Sequence, residues 1–183
     1  MKVISINVGL PRDVEWRGEV VTTGIFKSPV PGPVAVRTLN LDGDRQADLT
    51  VHGGPRKAVY AYPYEHYDYW RRELPHADLG FGAFGENLTT EGVLETDVRV
   101  GDTLDIGSAR FAVTQIRMPC YKLVVRFDRL DMVRRFTQSG RSGFYLQVTQ
   151  EGLIHTGDEI RLARAAGTSP TIAQLAALRR QDT

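Results

Sequence analysis

The chain has 183 residues, with 23 basic and 22 acidic side chains and a formal net charge of +1. That length suits one domain with a real core, and 42% hydrophobic with 25% charged residues is ordinary for a soluble globular protein. The near-neutral balance excludes bulk attraction to a nucleic-acid polymer or a membrane surface, so a basic site has to be a local cluster. A single cysteine, Cys120, excludes an intramolecular disulfide and a cysteine-cluster zinc or iron–sulfur site, which fits a reducing, cytoplasmic setting. The opening Met1 to Val8 is too short and too alternating for a signal peptide, and no apolar run approaches the ~20 residues that span a bilayer.

Lys2 to Val8 reads as an opening strand, with Val3, Ile4, Ile6 and Val8 apolar. Gly9 to Gly18 is polar and turn-like, and the β-branched run from Glu19 to Phe26 predicts a second strand. Lys27 to Pro33 holds Pro29, Pro31 and Pro33 and has to be a loop; Val34 to Leu39 alternates and returns as a strand. Asn40 to Gly54 is rich in Asp and Gly and breaks regular structure. Pro63 to Leu74 predicts a helix: Pro63 suits the first turn, Glu65 lies near the start, Arg71 and Arg72 fall in the last turn, and Pro75 ends it. Its stripe of Tyr62, His66, Tyr69 and Trp70 reads as core packing, with His66 a helix-face histidine because no metal-ligating partner shares the stripe.

Gly80 to Thr90 is a glycine-rich loop. Val98 to Val100 and Thr103 to Ile106 predict strands around the Gly101-Asp102 turn, and Phe111 to Gln115 alternates as a further strand that delivers Arg117 and Cys120. Tyr121 to Phe127 is short enough to be a helix or a strand. Asp131 to Gln138 predicts a short helix closed by Ser139-Gly140, and Gly143 to Thr149 and Gly157 to Ala163 two final strands. From Ala165 the pattern changes: Ser169-Pro170-Thr171 starts a helix whose apolar stripe is Ile172, Leu175 and Leu178. The expected organisation is a main domain over 1–165 and a helical tail over 166–183, either docked or opening a small extra module.

Three stretches carry candidate chemistry. In Arg117-Met118-Pro119-Cys120-Tyr121-Lys122 a thiol is flanked by Arg117 and Lys122, and nearby positive charge favours the thiolate, the form that attacks or binds metals. A helix starting at Tyr121 would add its dipole to the same effect. The alternative is that Cys120 is a small buried hydrophobe. In Val51-His52-Gly53-Gly54-Pro55-Arg56-Lys57, adjacent glycines let a backbone approach a ligand closely, and the flanking His52, Arg56 and Lys57 point to an anion; a plain tight turn reads equally from the glycines alone. In Gly80 to Thr90 the pair Glu86-Asn87 either pins its own loop or offers polar groups to a ligand.

Val51-His52-Gly53-Gly54, Phe84-Gly85-Glu86-Asn87-Leu88 and Met118-Pro119-Cys120-Tyr121-Lys122-Leu123 occur in this order and at this rough spacing. Together with the Phe26-Lys27-Ser28-Pro29-Val30 loop and the aromatic helix they resemble the MOSC domain family, the molybdenum cofactor sulfurase C-terminal domains, and within it the YiiM-like branch, over roughly residues 10 to 165. The resemblance implies a mostly β fold with peripheral helices, a closed β-barrel of the kind compared to the pyruvate kinase barrel domain. It implies a pocket for molybdenum cofactor (molybdopterin), with the essential cysteine matching Cys120 as catalytic residue and metal ligand. Lys27, Arg56, Lys57, Arg117 and Lys122 would then supply charge to the cofactor, Gly53 and Gly54 would cradle its phosphate beside His52, and Glu86 and Asn87 would meet the pterin edge. The implied activity is reduction of N-hydroxylated small molecules such as hydroxylaminopurines, with electrons from a separate reductase, since the chain shows no flavin, haem or iron–sulfur signature. The loop after Lys27 departs by holding Ser28 and Val30 with no second basic residue, which bears on the charge of the pocket entrance.

Two other readings compete. One is a cofactor carrier or sulfur-transfer module with a persulfide on Cys120, weakened by the lack of a pyridoxal-phosphate module that could abstract sulfur. The other is a silent β-barrel interaction domain. Oligomeric state is not legible.

Overall fold

The computed structural model describes residues 1–48 and 53–181. Among the described residues twelve strands run in chain order as β1 (Lys2–Val8), β2 (Arg12–Trp16), β3 (Glu19–Thr23), β4 (Ser28–Pro29), β5 (Val34–Val36), β6 (Val59–Pro63), β7 (Leu88–Glu91), β8 (Thr103–Ile106), β9 (Ala109–Ile116), β10 (Phe144–Gln150), β11 (Gly152–Ile154) and β12 (Ile160–Ala163). The α-helices are α1 (Tyr67–Glu73), α2 (Tyr121–Phe127), α3 (Met132–Ser139) and α4 (Ile172–Gln181). Eight strands form one sheet in the order β12-β8-β9-β10-β6-β7-β1-β4, while β11-β5 and β2-β3 are separate two-stranded sheets. Every pair of the large sheet is antiparallel except β6 with β7, whose parallel register needs the crossover that contains α1.

The expected closed barrel is not what forms. Among the described residues no sheet closes on itself: β12 and β4 are the two edges of the large sheet. The chain near β1 meets the segment before β12 only through the single bridge of Lys2 with Glu159 and a few bonds such as Val3 N–H to the Asp158 carbonyl at 3.0 Å. A ladder needs two extended partners. Here the facing segment is a turn, with Gly157 at φ 94°, so pairing stops after one bridge.

Two further departures, at β6 and β7, share one cause, the loss of period-two alternation where a strand is buried on both faces. Every residue of β6 is buried, so Pro63 ends a strand instead of starting a helix; a 3-10 turn over Tyr64–His66 then leads into α1. β7 emerges from what reads as loop, and its Leu88, Thr89 and Thr90 are all buried. Arg12 to Trp16 pairs with Glu19 to Thr23 as a hairpin, turned by Arg17 at φ 53° and Gly18 at φ 80°. The ambiguous Tyr121 to Phe127 is a helix. His66 finds its partner off its own stripe: Nε2 lies 2.7 Å from Glu95 Oε2, and Glu95 Oε1 accepts the Gly143 N–H at 2.7 Å.

The main apolar core is drawn from the large sheet, with Ile6, Val59, Leu88, Phe111, Phe144 and Leu146 sealed inside. A second, aromatic cluster joins α1, α2 and α3 through Tyr62, Tyr67, Trp70, Phe84 and Phe136. Trp70 stacks on Phe136 at 5.7 Å and donates Nε1–H to Tyr62 Oη at 2.6 Å, so its one polar atom is satisfied. α4 docks by burying Ile172 and Ala176, while Leu178 of the expected stripe stays exposed. Its cap is Thr171, which accepts from Gln174 N–H at 3.1 Å while Gln174 Oε1 accepts from Thr171 N–H at 2.8 Å.

Asp102 ties the start of the tail to the sheet. Its carboxylate accepts the backbone N–H groups of Arg99 and Ala165, at 2.9 and 2.8 Å, and the Arg164 guanidinium at 2.8 Å. Burial alone would raise its pKa, but these bonds outweigh burial and hold it below the usual carboxylate range near about 4. A depressed folded pKa contributes stability above the unfolded pKa and loses it as pH falls through the folded one. Melting temperature should therefore drop below about pH 4, and Asp102→Asn should melt lower at neutral pH with a flatter acid limb; an unchanged acid limb would show that this clasp is not the titrating group.

Candidate functional site

β9 runs into Arg117, Met118 and Pro119, and Cys120 follows as the residue that caps α2, with extended backbone at φ −133° and ψ 173°. The helix begins with the bond from Leu123 N–H to the Cys120 carbonyl at 2.9 Å. It ends where Asp128, at φ 47°, returns its N–H to the Val124 carbonyl. The half-buried thiol thus sits at the positive end of a helix, with Arg117 one turn before it and Lys122 in the first helical turn.

A solvent-open cleft of about 600 Å³ contains this thiol. Its described lining carries five basic side chains, Lys27, Arg45, Lys57, Arg117 and Lys122, against one carboxylate, Asp44. In a chain of net charge +1 that is a strong local excess, of the sort that concentrates and orients an anion. Arg117 is 5% exposed and its guanidinium lies over the Tyr60 and Phe136 rings at 5.3 and 4.9 Å. Burial works against its charge, while Tyr60, Tyr145 and Cys120 favour it, and the balance raises its pKa above the usual value. Its Nη1 is buried without a partner. Lys122 is 8% exposed and makes no hydrogen bond or ion pair among the described residues.

Of the residues expected at the site, Lys27, Gly53, Lys57, Asn87, Arg117, Cys120 and Lys122 line this one cleft. His52 lies outside the described residues. Gly54, at φ 77°, has nothing within 4 Å of where a Cβ would stand, so space remains beside its backbone. Arg56 is exposed, is absent from the cleft lining, and donates to the Thr114 carbonyl at 3.4 Å. Lys27 is ion-paired to Asp44, and burial pushes its pKa down against the pull of that carboxylate.

Glu86 lies behind the cleft wall. Its Oε1 accepts from Tyr67 Oη, from Gly82 N–H at 2.9 Å and from Thr89 Oγ1 at 3.1 Å, and its Oε2 accepts from Phe84 N–H at 3.0 Å. The carboxylate thereby holds the glycine loop in shape, and Gly85 and Asn87 on either side of it face the cleft. Asn87 is fully engaged: Oδ1 accepts Tyr60 N–H at 3.0 Å, and Nδ2 donates to Asp44 Oδ2 at 2.9 Å and to the Asn7 carbonyl at 3.3 Å.

Sequence reasoning missed Asp44, Arg45, Gln46, Tyr60 and Tyr145, all cleft-lining. A signal existed for the first three. Asp44-Arg45-Gln46 is a polar run in the same irregular segment as the paired glycines. The two tyrosines gave none, because their role depends on β6 and β10 being neighbours.

Fold and cleft together define a β-sheet domain that presents one thiol in a cleft rich in basic side chains. Comparison with known proteins narrows this. The MOSC domain profile matches residues 48–161, and the chain belongs to the MOSC domain family. It is 42% identical over 160 residues to the uncharacterized protein YflK of Bacillus subtilis, covering 87% of this chain and 72% of that one. It is 36% identical over 148 residues to a protein named reductase in Gibberella moniliformis, covering 79% of this chain and 26% of that longer protein. The crystal structure of YiiM from Geobacillus stearothermophilus superposes with a TM-score of 0.80 at 35% identity, covering 99% of this chain and 84% of that one. Among the described residues no helix is long and apolar enough to cross a membrane.

Proposed function

We propose that the cleft holds the molybdenum cofactor, with the Cys120 thiolate as the protein's metal ligand, and that the protein reduces N-hydroxylated compounds to amines. MOSC domains are associated with this cofactor, and the residues present fit it. The donor set is one soft sulfur ligand. The phosphate and dithiolene of molybdopterin are anionic, and the cleft offers an excess of cations. Gly53 and Lys57 both line the cleft, which offers a phosphate a glycine backbone and a cation in one site.

When bound, the group supplies two-electron chemistry at a metal; the protein supplies binding, orientation and charge. Arg117 and Lys122 would offset the charge of the anionic ligand. Phe84, Tyr60 and Ile25 add apolar surface to the same cleft. Reduction of R–NH–OH to R–NH2 and water consumes two electrons and two protons, and the electrons come from a separate reductase. A longer relative named reductase supports a redox role. Hydroxylaminopurine-type bases are the substrate class proposed.

The observation that carries this reading is the only thiol of the chain sharing one cleft with five basic side chains. Protein made in a host that synthesises molybdopterin should contain molybdenum by elemental analysis, and pterin by fluorescence after oxidation. It should turn over hydroxylaminopurine once a reductase is supplied. Metal-free protein from such a host, with a persulfide on Cys120 by mass spectrometry, would favour sulfur transfer instead. Lys122→Ala should retain molybdenum about tenfold or more weakly through dialysis, the loss of one charge-assisted bond; unchanged metal content would remove Lys122 from the cofactor site.

A further inference from the structure

Resting on that reading, we propose that Gln46 reads the purine edge of the substrate, its amide oxygen accepting from the exocyclic N6–H and its amide nitrogen donating to N7. The argument is an inventory of the cleft. Selective recognition of a neutral base needs a group with donor and acceptor side by side, and a Gln or Asn amide matches the N6/N7 edge of a 6-substituted purine bidentately. Cations offer donors only. Asp44 has both oxygens occupied, by Gly9 N–H at 3.0 Å, Lys27 and Asn87.

The neutral polar side chains are likewise consumed. Asn87 spends both ends of its amide on Tyr60, Asp44 and Asn7. Tyr60 Oη donates to the Ser142 carbonyl at 2.8 Å, Thr23 is fully buried and accepts from Ile25 N–H, and the Tyr145 hydroxyl is a single oxygen, not an amide with donor and acceptor on two atoms. Among the described cleft-lining side chains that leaves Gln46, half-buried, with no partner for either end of its amide. Arg117, Lys122 and Asn87 of the cleft lining are buried, whereas Gln46 is half-buried and its neighbour Arg45 exposed.

The test compares wild type with Gln46→Leu, both made in the molybdopterin-producing host. Adenine, the amine product, is the probe for equilibrium binding by calorimetry. Gln46→Leu should keep wild-type molybdenum and pterin content yet bind adenine about ten- to a hundredfold more weakly, the discrimination carried by one bidentate amide–base pair. With a reductase supplied, kcat/KM for 6-hydroxylaminopurine should fall by the same factor through KM, while benzamidoxime, which has no purine edge, should be reduced as before. Unchanged adenine binding overturns the inference. A fall in cofactor content overturns it by assigning Gln46 to the pterin, and an equal loss for both substrates overturns it by showing a structural role. Wild-type protein without molybdenum would overturn the proposed function alone, because the effect of Gln46→Leu on adenine binding is read without turnover.

Discussion

Cys120→Ala should lose turnover of N-hydroxylated substrate altogether while keeping its fold. The side chain is half-buried at the cap of α2 and adds little to either apolar cluster. The change in unfolding free energy should therefore stay within about 1 kcal/mol. The loss comes from the sulfur as a soft ligand: a methyl cannot coordinate, and Cys120→Ser would place a hard, protonated hydroxyl where a thiolate is needed. Circular dichroism melting, molybdenum content and turnover should be measured on the same preparation. A folded Cys120→Ala protein with wild-type turnover would remove the thiol from the chemistry, and a variant that fails to fold would assign Cys120 to packing.

Glu86→Ala should be the most destabilising single change near the cleft. It deletes the common acceptor of Tyr67, Gly82, Phe84 and Thr89 in a fully buried position. Orphaned buried donors cost roughly 1–3 kcal/mol each, partly relieved by water entering the gap, so a total of about 3–5 kcal/mol is expected in denaturant unfolding. Glu86→Gln keeps the volume, but its NH2 must face a donor, either the Phe84 amide or the group of three on the other oxygen, and a loss of about 1–3 kcal/mol should follow. Because Gly85 and Asn87 flank this carboxylate and line the cleft, cofactor content should fall in parallel with stability. Stability unchanged within about 0.5 kcal/mol for both variants would mean that the loop holds its shape without Glu86.

Legibility differed between fold and site. Strands exposed on one face, such as β8 and β9, show alternation and were readable, as was the start of α4 just after Pro170. β6 was not: Val59–Pro63 is apolar and aromatic throughout because both faces are covered, and its last residues run into the aromatic helix without a break in pattern. Sheet closure was also beyond reach, since it depends on whether the segment facing β1 is a strand or a turn, and Gly157-Asp158 is a turn. At the site, Arg117 and Lys122 were readable because they are bound to Cys120 by local chain geometry. Asp44, Arg45 and Gln46 gave only a weak signal, a polar run in an irregular segment, because nothing local says that their loop returns to the same cleft.

The sequence by itself determined the chemistry available: one thiol, its two basic neighbours on a strand-to-helix junction, and two glycine loops that permit close backbone approach. Only the tertiary structure decided which polar groups that chemistry can use. It paired Lys27 with Asp44, turned Arg56 out to Thr114, folded Glu86 back onto its own loop and left the Gln46 amide unpartnered in the cleft. The physical reason is that charge and hydrogen bonding act through space over a few ångströms, and those distances are set by which strands become neighbours.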